Sequence, residues 1–156
     1  MNYEILEREI LSEGIEIVNM NFRGNLKGLY ADNTIAIDRK IITNAEKCCV
    51  LAEELGHHFT SIGDILDSKD LINIKQEKQA RNWAYEKLVS ITGIIDAFNA
   101  GTKNKYEMAE YLDVTEEFLE KSIIHYKEKH GIFLEIDEYI IYFEPYFGVM
   151  KKYNIK

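Results

Sequence analysis

Apolar and polar positions alternate along residues 3–13 at helical spacing, with Ile5, Leu6, Ile10 and Leu11 set among Glu and Arg, and Gly14 follows as a stop. Ile15-Glu16-Ile17-Val18 then reads as a short strand. Gly28-Leu29-Tyr30-Ala31 and Thr34-Ile35-Ala36-Ile37-Asp38 flank Asp32-Asn33, which suits a two-residue hairpin turn. Together these segments predict a small antiparallel sheet. Thr43 opens the next helix, and Glu46 three residues on completes a Thr-x-x-Glu capping box. That helix is expected to run through about Phe59, with Gly63 and Asp64 beyond it.

A second long helix is predicted over 74–89, followed by a shorter one through Ala97, which Asn99-Ala100-Gly101-Thr102 breaks. Residues 104–112 and 115–129 give two more helices, the latter capped by Thr115. The period then changes. Residues 132–136 and 139–143 predict a β-hairpin over Asp137-Glu138, ended by Pro145. No repeat or linker interrupts the pattern, so residues 1–156 form one α+β domain with a helical subregion over about 91–130 and a hairpin over about 132–145.

Composition narrows the function. With 46% apolar and 29% charged residues the chain is globular, and its apolar runs are too short and too interrupted to span a membrane. The start, Met1-Asn2-Tyr3-Glu4, lacks the basic and apolar segments of a signal peptide, so a cytoplasmic location is expected. Cys48 and Cys49 are the only cysteines, and as helix neighbours they point about 100° apart. That geometry suits two buried thiols in a reducing compartment, not a disulfide. The net charge of -8 argues against nucleic acid as a direct partner.

Chemistry concentrates on the helix from Thr43. Cys48, Ala52, Leu55 and Phe59 form one apolar seam, while Glu53 and His57, four apart, share a face roughly opposite Leu55. A carboxylate and an imidazole so placed can reach one cation, with zinc taking both donors at about 2.0–2.2 Å. Glu54 points elsewhere and is free to act on a metal-bound water, the logic of H-E-x-x-H with Glu53 in place of the first histidine. By spacing alone an ordinary surface ion pair is the commoner reading of Glu53 and His57, and Glu54 with His58 offers a second register. On the following helix, Glu77, Ala80, Ala84 and Leu88 share one face. Small residues there let another helix come close, which makes Glu77 a candidate third ligand.

The segment Cys49-Val50-Leu51-Ala52-Glu53-Glu54-Leu55-Gly56-His57-His58-Phe59-Thr60, followed by Glu77-Lys78-Gln79-Ala80-Arg81-Asn82-Trp83-Ala84, resembles the ImmA/IrrE-type metallopeptidases of bacteria and their phages. The second segment matches that family's Glu-x-x-Ala-x-x-aromatic-Ala pattern, and the tail from Ile132 to Val149 is similar to members on mobile elements. The resemblance implies a zincin-like active-site helix pair under the small sheet and a zinc-dependent endopeptidase. It also implies a protein substrate, such as a helix-turn-helix repressor of a phage or mobile element. Position by position, it makes His57 a histidine ligand, Glu54 the general base, Glu77 the acidic ligand, and Glu53 the occupant of the first histidine's place. Two glutamates with one histidine weaken the metal's Lewis acidity and favour harder ions, manganese being the other candidate. Tyr85, His58 and His125 are candidate oxyanion donors.

Two further readings stand beside this one. A catalytically inactive binding module would keep the fold and bind a partner protein without a tightly held metal. A DNA-binding regulator would use the helix-turn-helix cadence of 108–119, with Ala109, Leu112, Val114 and Phe118 inside, yet its second helix opens on Glu116 and Glu117 and adds Glu120. His125 and His130, five apart, are expected to be structural or surface residues. Tyr139, Tyr142 and Tyr146 are expected to serve sheet packing and core.

Overall fold

The computed structural model describes residues 1–61 and 70–153, so Gly63 and Asp64 lie outside the described residues. Helix α1 (Tyr3–Ser12) begins where Asn2 Oδ1 accepts from the Ile5 N–H at 3.0 Å, and it seats Leu6 and Ile10 in the core. Strands β1 (Glu16–Met20), β2 (Gly28–Ala31) and β3 (Thr34–Asp38) form a three-stranded sheet with β3 in the middle. Asp32 and Asn33 take positive φ at the β2–β3 turn, the conformation a tight hairpin requires. The sheet is mixed, not antiparallel: β1 pairs parallel to β3. Residues 21–27 carry the chain back across, so β2 enters on the far side of β3 instead of beside β1. The central strand is accordingly buried from Ile35 to Asp38.

Helix α2 (Asn44–Thr60) is capped by Thr43, whose hydroxyl accepts from the Glu46 N–H at 3.2 Å. The predicted reciprocal half of that box is diverted, because the Glu46 carboxylate accepts from Lys27 Nζ at 2.5 Å. Cys48, Ala52 and Leu55 are buried as the seam predicts. Phe59 is not: it lies half exposed in the last turn, beyond the core, and stacks on Trp83 with ring centroids 5.2 Å apart. Helix α3 (Asp70–Leu88) starts four residues earlier than the apolar pattern indicates.

Ala80, Ala84 and Leu88 of α3 face α2 and are buried. The two helices touch backbone to backbone at Gly56. A Cβ added there would lie 3.0 Å from the Ala80 carbonyl carbon and closer still to its oxygen. Helices α4 (Ile91–Asn99), α5 (Lys105–Tyr111) and α6 (Glu116–His130) follow, capped by Ser90, Asn104 and Thr115. Tyr126 on α6 donates to the Val89 carbonyl at 2.7 Å and fixes α6 to the end of α3. Ala109, Leu112, Val114 and Phe118 are interior, as the cadence of 108–119 predicts.

The predicted hairpin forms from β4 (Phe133–Ile136) and β5 (Tyr139–Tyr142), and a third antiparallel strand, β6 (Gly148–Lys151), adds to β5. Tyr139 shares hydrogen bonds with Asn99 on α4, which ties this sheet to the helices. Tyr146 departs from the expected packing role. It sits in the β5–β6 connection with 84% of its surface in solvent. No described helix is long and apolar enough to cross a membrane.

The Gly56 contact yields a direct test. In a free helix Gly→Ala is stabilising by up to about 1 kcal/mol. Here the added methyl must push α3 away, so Gly56→Ala should unfold in urea with a net loss of about 1–3 kcal/mol. An unchanged or raised midpoint would refute the close approach.

Candidate active-site cleft

Helices α2, α3 and the start of α6 enclose, with β2, a cleft of about 600 Å³. Glu53, Glu54 and His57 line it from α2, Glu77 and Arg81 from α3, Gly28 and Tyr30 from β2, and Lys121 from α6. All four sequence-predicted site residues therefore share one cavity. The Gly56–Ala80 approach explains the central pairing, in which His57 Nε2 lies 3.2 Å from Glu77 Oε1 across the two helices.

Strand β2 contributes through its backbone. The Asp38 N–H donates to the Lys27 carbonyl at 2.9 Å, which makes Lys27 and Asp38 a bonded antiparallel pair. Bonded pairs alternate along such a ladder, so the polar groups of Gly28 and Tyr30 turn away from β3 toward the unpaired edge. From that edge the Tyr30 N–H favours the charged form of the Glu54 carboxylate. Gly28 is needed for the fit, because a Cβ there would meet Val50 Cγ1 at 2.6 Å and Glu54 at 3.0 Å. The Tyr30 hydroxyl shares a 2.6 Å hydrogen bond with His58 Nδ1, one helical turn beyond Glu54. This bond fixes β2 to α2, and His58 turns to Tyr30, not to the Glu54 register that spacing alone allowed.

Burial pushes the Glu54 carboxyl up to about 7, reinforced by the charges of Glu53 and Glu77 and opposed by the Tyr30 N–H and Arg81. Glu53 is raised as well, again chiefly by burial, with Arg81 and Lys121 opposing. Arg81 Nη2 lies 3.8 Å from Glu77 Oε2, so a guanidinium already serves the carboxylates of this cleft. Cys49 also lines the cavity, but burial drives its thiol up to about 12 and that of Cys48 up to about 11. Protonated thiols are poor nucleophiles and poor ligands.

Zinc needs three protein donors on one point with an open position. Among the described residues no group of three or more His, Cys, Asp or Glu converges in that way. His57 and Glu77 meet, and Glu53 lines the same cleft without completing a triad, so the donor set does not fit the metal as arranged. The oxyanion candidates Tyr85, His58 and His125 also lie outside the cleft lining. Tyr85 packs edge-on against Phe118, and His125 bonds Glu86 at 2.8 Å. Sequence reasoning missed Arg81, Tyr30 and Lys121. Arg81 stands four residues after Glu77, a spacing that signals a shared helix face, whereas the Tyr30 contribution is a backbone group and leaves no residue-type signature.

Neither curated proteins nor solved structures give a match to the chain. The profile of the family described as IrrE N-terminal-like domain matches residues 12–123, from the end of α1 into α6. That span holds the first sheet, the α2–α3 pair and every residue of the cleft, and the chain belongs to this ImmA/IrrE-type metallopeptidase family.

Proposed function

We propose that the domain is a metallopeptidase-like binding module, holding an extended segment of a protein partner in the cleft along the free edge of β2. The observation that carries this reading is the charge arrangement: the His57–Glu77 pair is met by Arg81, and no three-donor metal set forms among the described residues. The outward groups of Gly28 and Tyr30 offer main-chain hydrogen bonds of the kind that recruit a peptide strand to a sheet edge. Family membership makes a helix-turn-helix repressor of a phage or mobile element the partner class to try first.

A second reading, metal-dependent endopeptidase, is favoured by Glu54. General bases work best with a pKa near the operating pH, and Glu54 stands at about 7 beside the strand edge where a peptide would lie. In that reading Glu53, His57 and Glu77 would hold zinc or manganese, which supplies Lewis acidity when bound, and Glu54 accepts the proton of the attacking water. It requires Glu53 to turn in toward the His57–Glu77 pair.

Metal content separates the two. Protein purified without chelator should carry far less than one zinc or manganese per chain, unchanged by His57→Ala. About one ion per chain, lost in that variant, would establish the endopeptidase reading instead.

Proton linkage gives an independent check on the cleft. The folded Glu54 carboxyl titrates at about 7 against an ordinary value of 4.5, so folding takes up a proton between those values. Its stabilising contribution is complete below about 4.5 and is lost as pH rises through 7. Chelator-treated wild type should therefore lose on the order of 2–3 kcal/mol between pH 5 and 7.5 in urea melts. Glu54→Gln should flatten that dependence, leaving the smaller share from Glu53. Equal slopes for the two proteins would show that Glu54 is solvated.

A further inference from the structure

Beyond Arg81 the cleft opens into a second cavity of about 520 Å³ between α3 and α6, and Glu77, Arg81 and Lys121 line both. The character of the walls changes there. Ile74 on α3 and Ile124 on α6 leave 64% and 56% of their surfaces in solvent on the two banks, while Tyr85, almost fully buried, closes the floor. Lys78 and Glu128 form a 3.1 Å ion pair between the banks. Single exposed apolar residues are ordinary on a surface, but here two β-branched side chains line one groove from opposite banks.

We infer that this groove is the side-chain pocket of the same binding surface, taking an apolar residue of the partner segment that lies along β2. The inference rests on the binding reading of the cleft and deepens it by giving the partner's chemistry: an extended stretch followed, past Arg81, by an aliphatic or aromatic anchor. Continuity selects this occupant. A chain leaving the polar cleft between Arg81 and Lys121 enters the groove directly, with its polar backbone beside those cations and its side chain against the isoleucines. An apolar anchor in a preformed pocket flanked by polar groups is the arrangement that concentrates binding energy in few residues.

The probe is a phage-displayed library of random linear peptides, selected on the immobilised full chain, with binding of enriched peptides then followed by fluorescence anisotropy. Enriched peptides should share an apolar residue, and Ile124→Asp should weaken them roughly tenfold or more. The same variant should leave the anchor-to-Ala versions, already weaker, unchanged. Because Ile124 is exposed, the fold should survive, and Ile74→Asp on the opposite bank provides a second reading of the same effect. Enriched peptides without an anchor, or bound equally by both Asp variants, would overturn the groove while leaving the cleft reading in place. A library that yields no binder would overturn both. Self-association of the wild type that Ile124→Asp abolishes would instead assign the groove to a second copy and overturn this proposal.

Discussion

The contact between Gly56 and the Ala80 carbonyl governs the geometry of everything near it. Two helices normally pack 8–10 Å apart because side chains fill the space between them. At Gly56 there is no side chain, and the backbone of α3 occupies the place where a Cβ would stand. The approach brings the next residue, His57, within 3.2 Å of Glu77, which lies one turn before Ala80. Ala84 and Leu88 continue the same buried face, so the helices stay in register beyond the point of contact. Strand β2 meets α2 by the same device, since Gly28 admits Glu54 and Val50 against the strand. Two missing side chains thus let three elements converge on one cleft.

Convergence carries an electrostatic cost. Burial holds the Glu53 and Glu54 carboxyls above their ordinary range, and neighbouring carboxylates add to it, Glu77 for both and Glu53 for Glu54. Such a cluster can be relieved by protonation, by a bound cation or by cationic side chains. Two of these act among the described residues: burial and neighbouring charge push Glu54 up to about 7, and Arg81 and Lys121 oppose the raised carboxyls. A guanidinium keeps its charge at every relevant pH, so this relief does not depend on proton or metal availability.

Much of this was legible in the residues, and what was not has a common cause. Amphipathic spacing and caps located the helices, and the small face of Ala80 and Ala84 correctly pointed to a close helix neighbour bringing Glu77 toward His57. The positive-φ pair Asp32-Asn33 marked the hairpin. The parallel pairing of β1 was hidden because alternation along a strand sets which face is buried, not which neighbour it joins or in which direction. Phe59 fits the apolar seam by spacing alone, yet its helix outlasts the core, and Trp83 on another helix decides its position. Backbone donors such as the Tyr30 N–H, and the diversion of Glu46 to Lys27, are likewise tertiary facts without a local pattern.

Glu53 is the position at which these strands of the argument meet. A neutral histidine there would add no charge to the cleft and would offer the metal a third donor of moderate strength. A carboxylate adds a negative charge that must be balanced whether or not a metal is present. Arg81 and Lys121 supply that balance, and a cation recruited to the same place would have to compete with them. The helix approach at Gly56 and the strand fixed by Tyr30 involve none of the candidate ligands directly. Glu53 in the place of a histidine therefore changes the donor set of the cleft and leaves its frame unchanged.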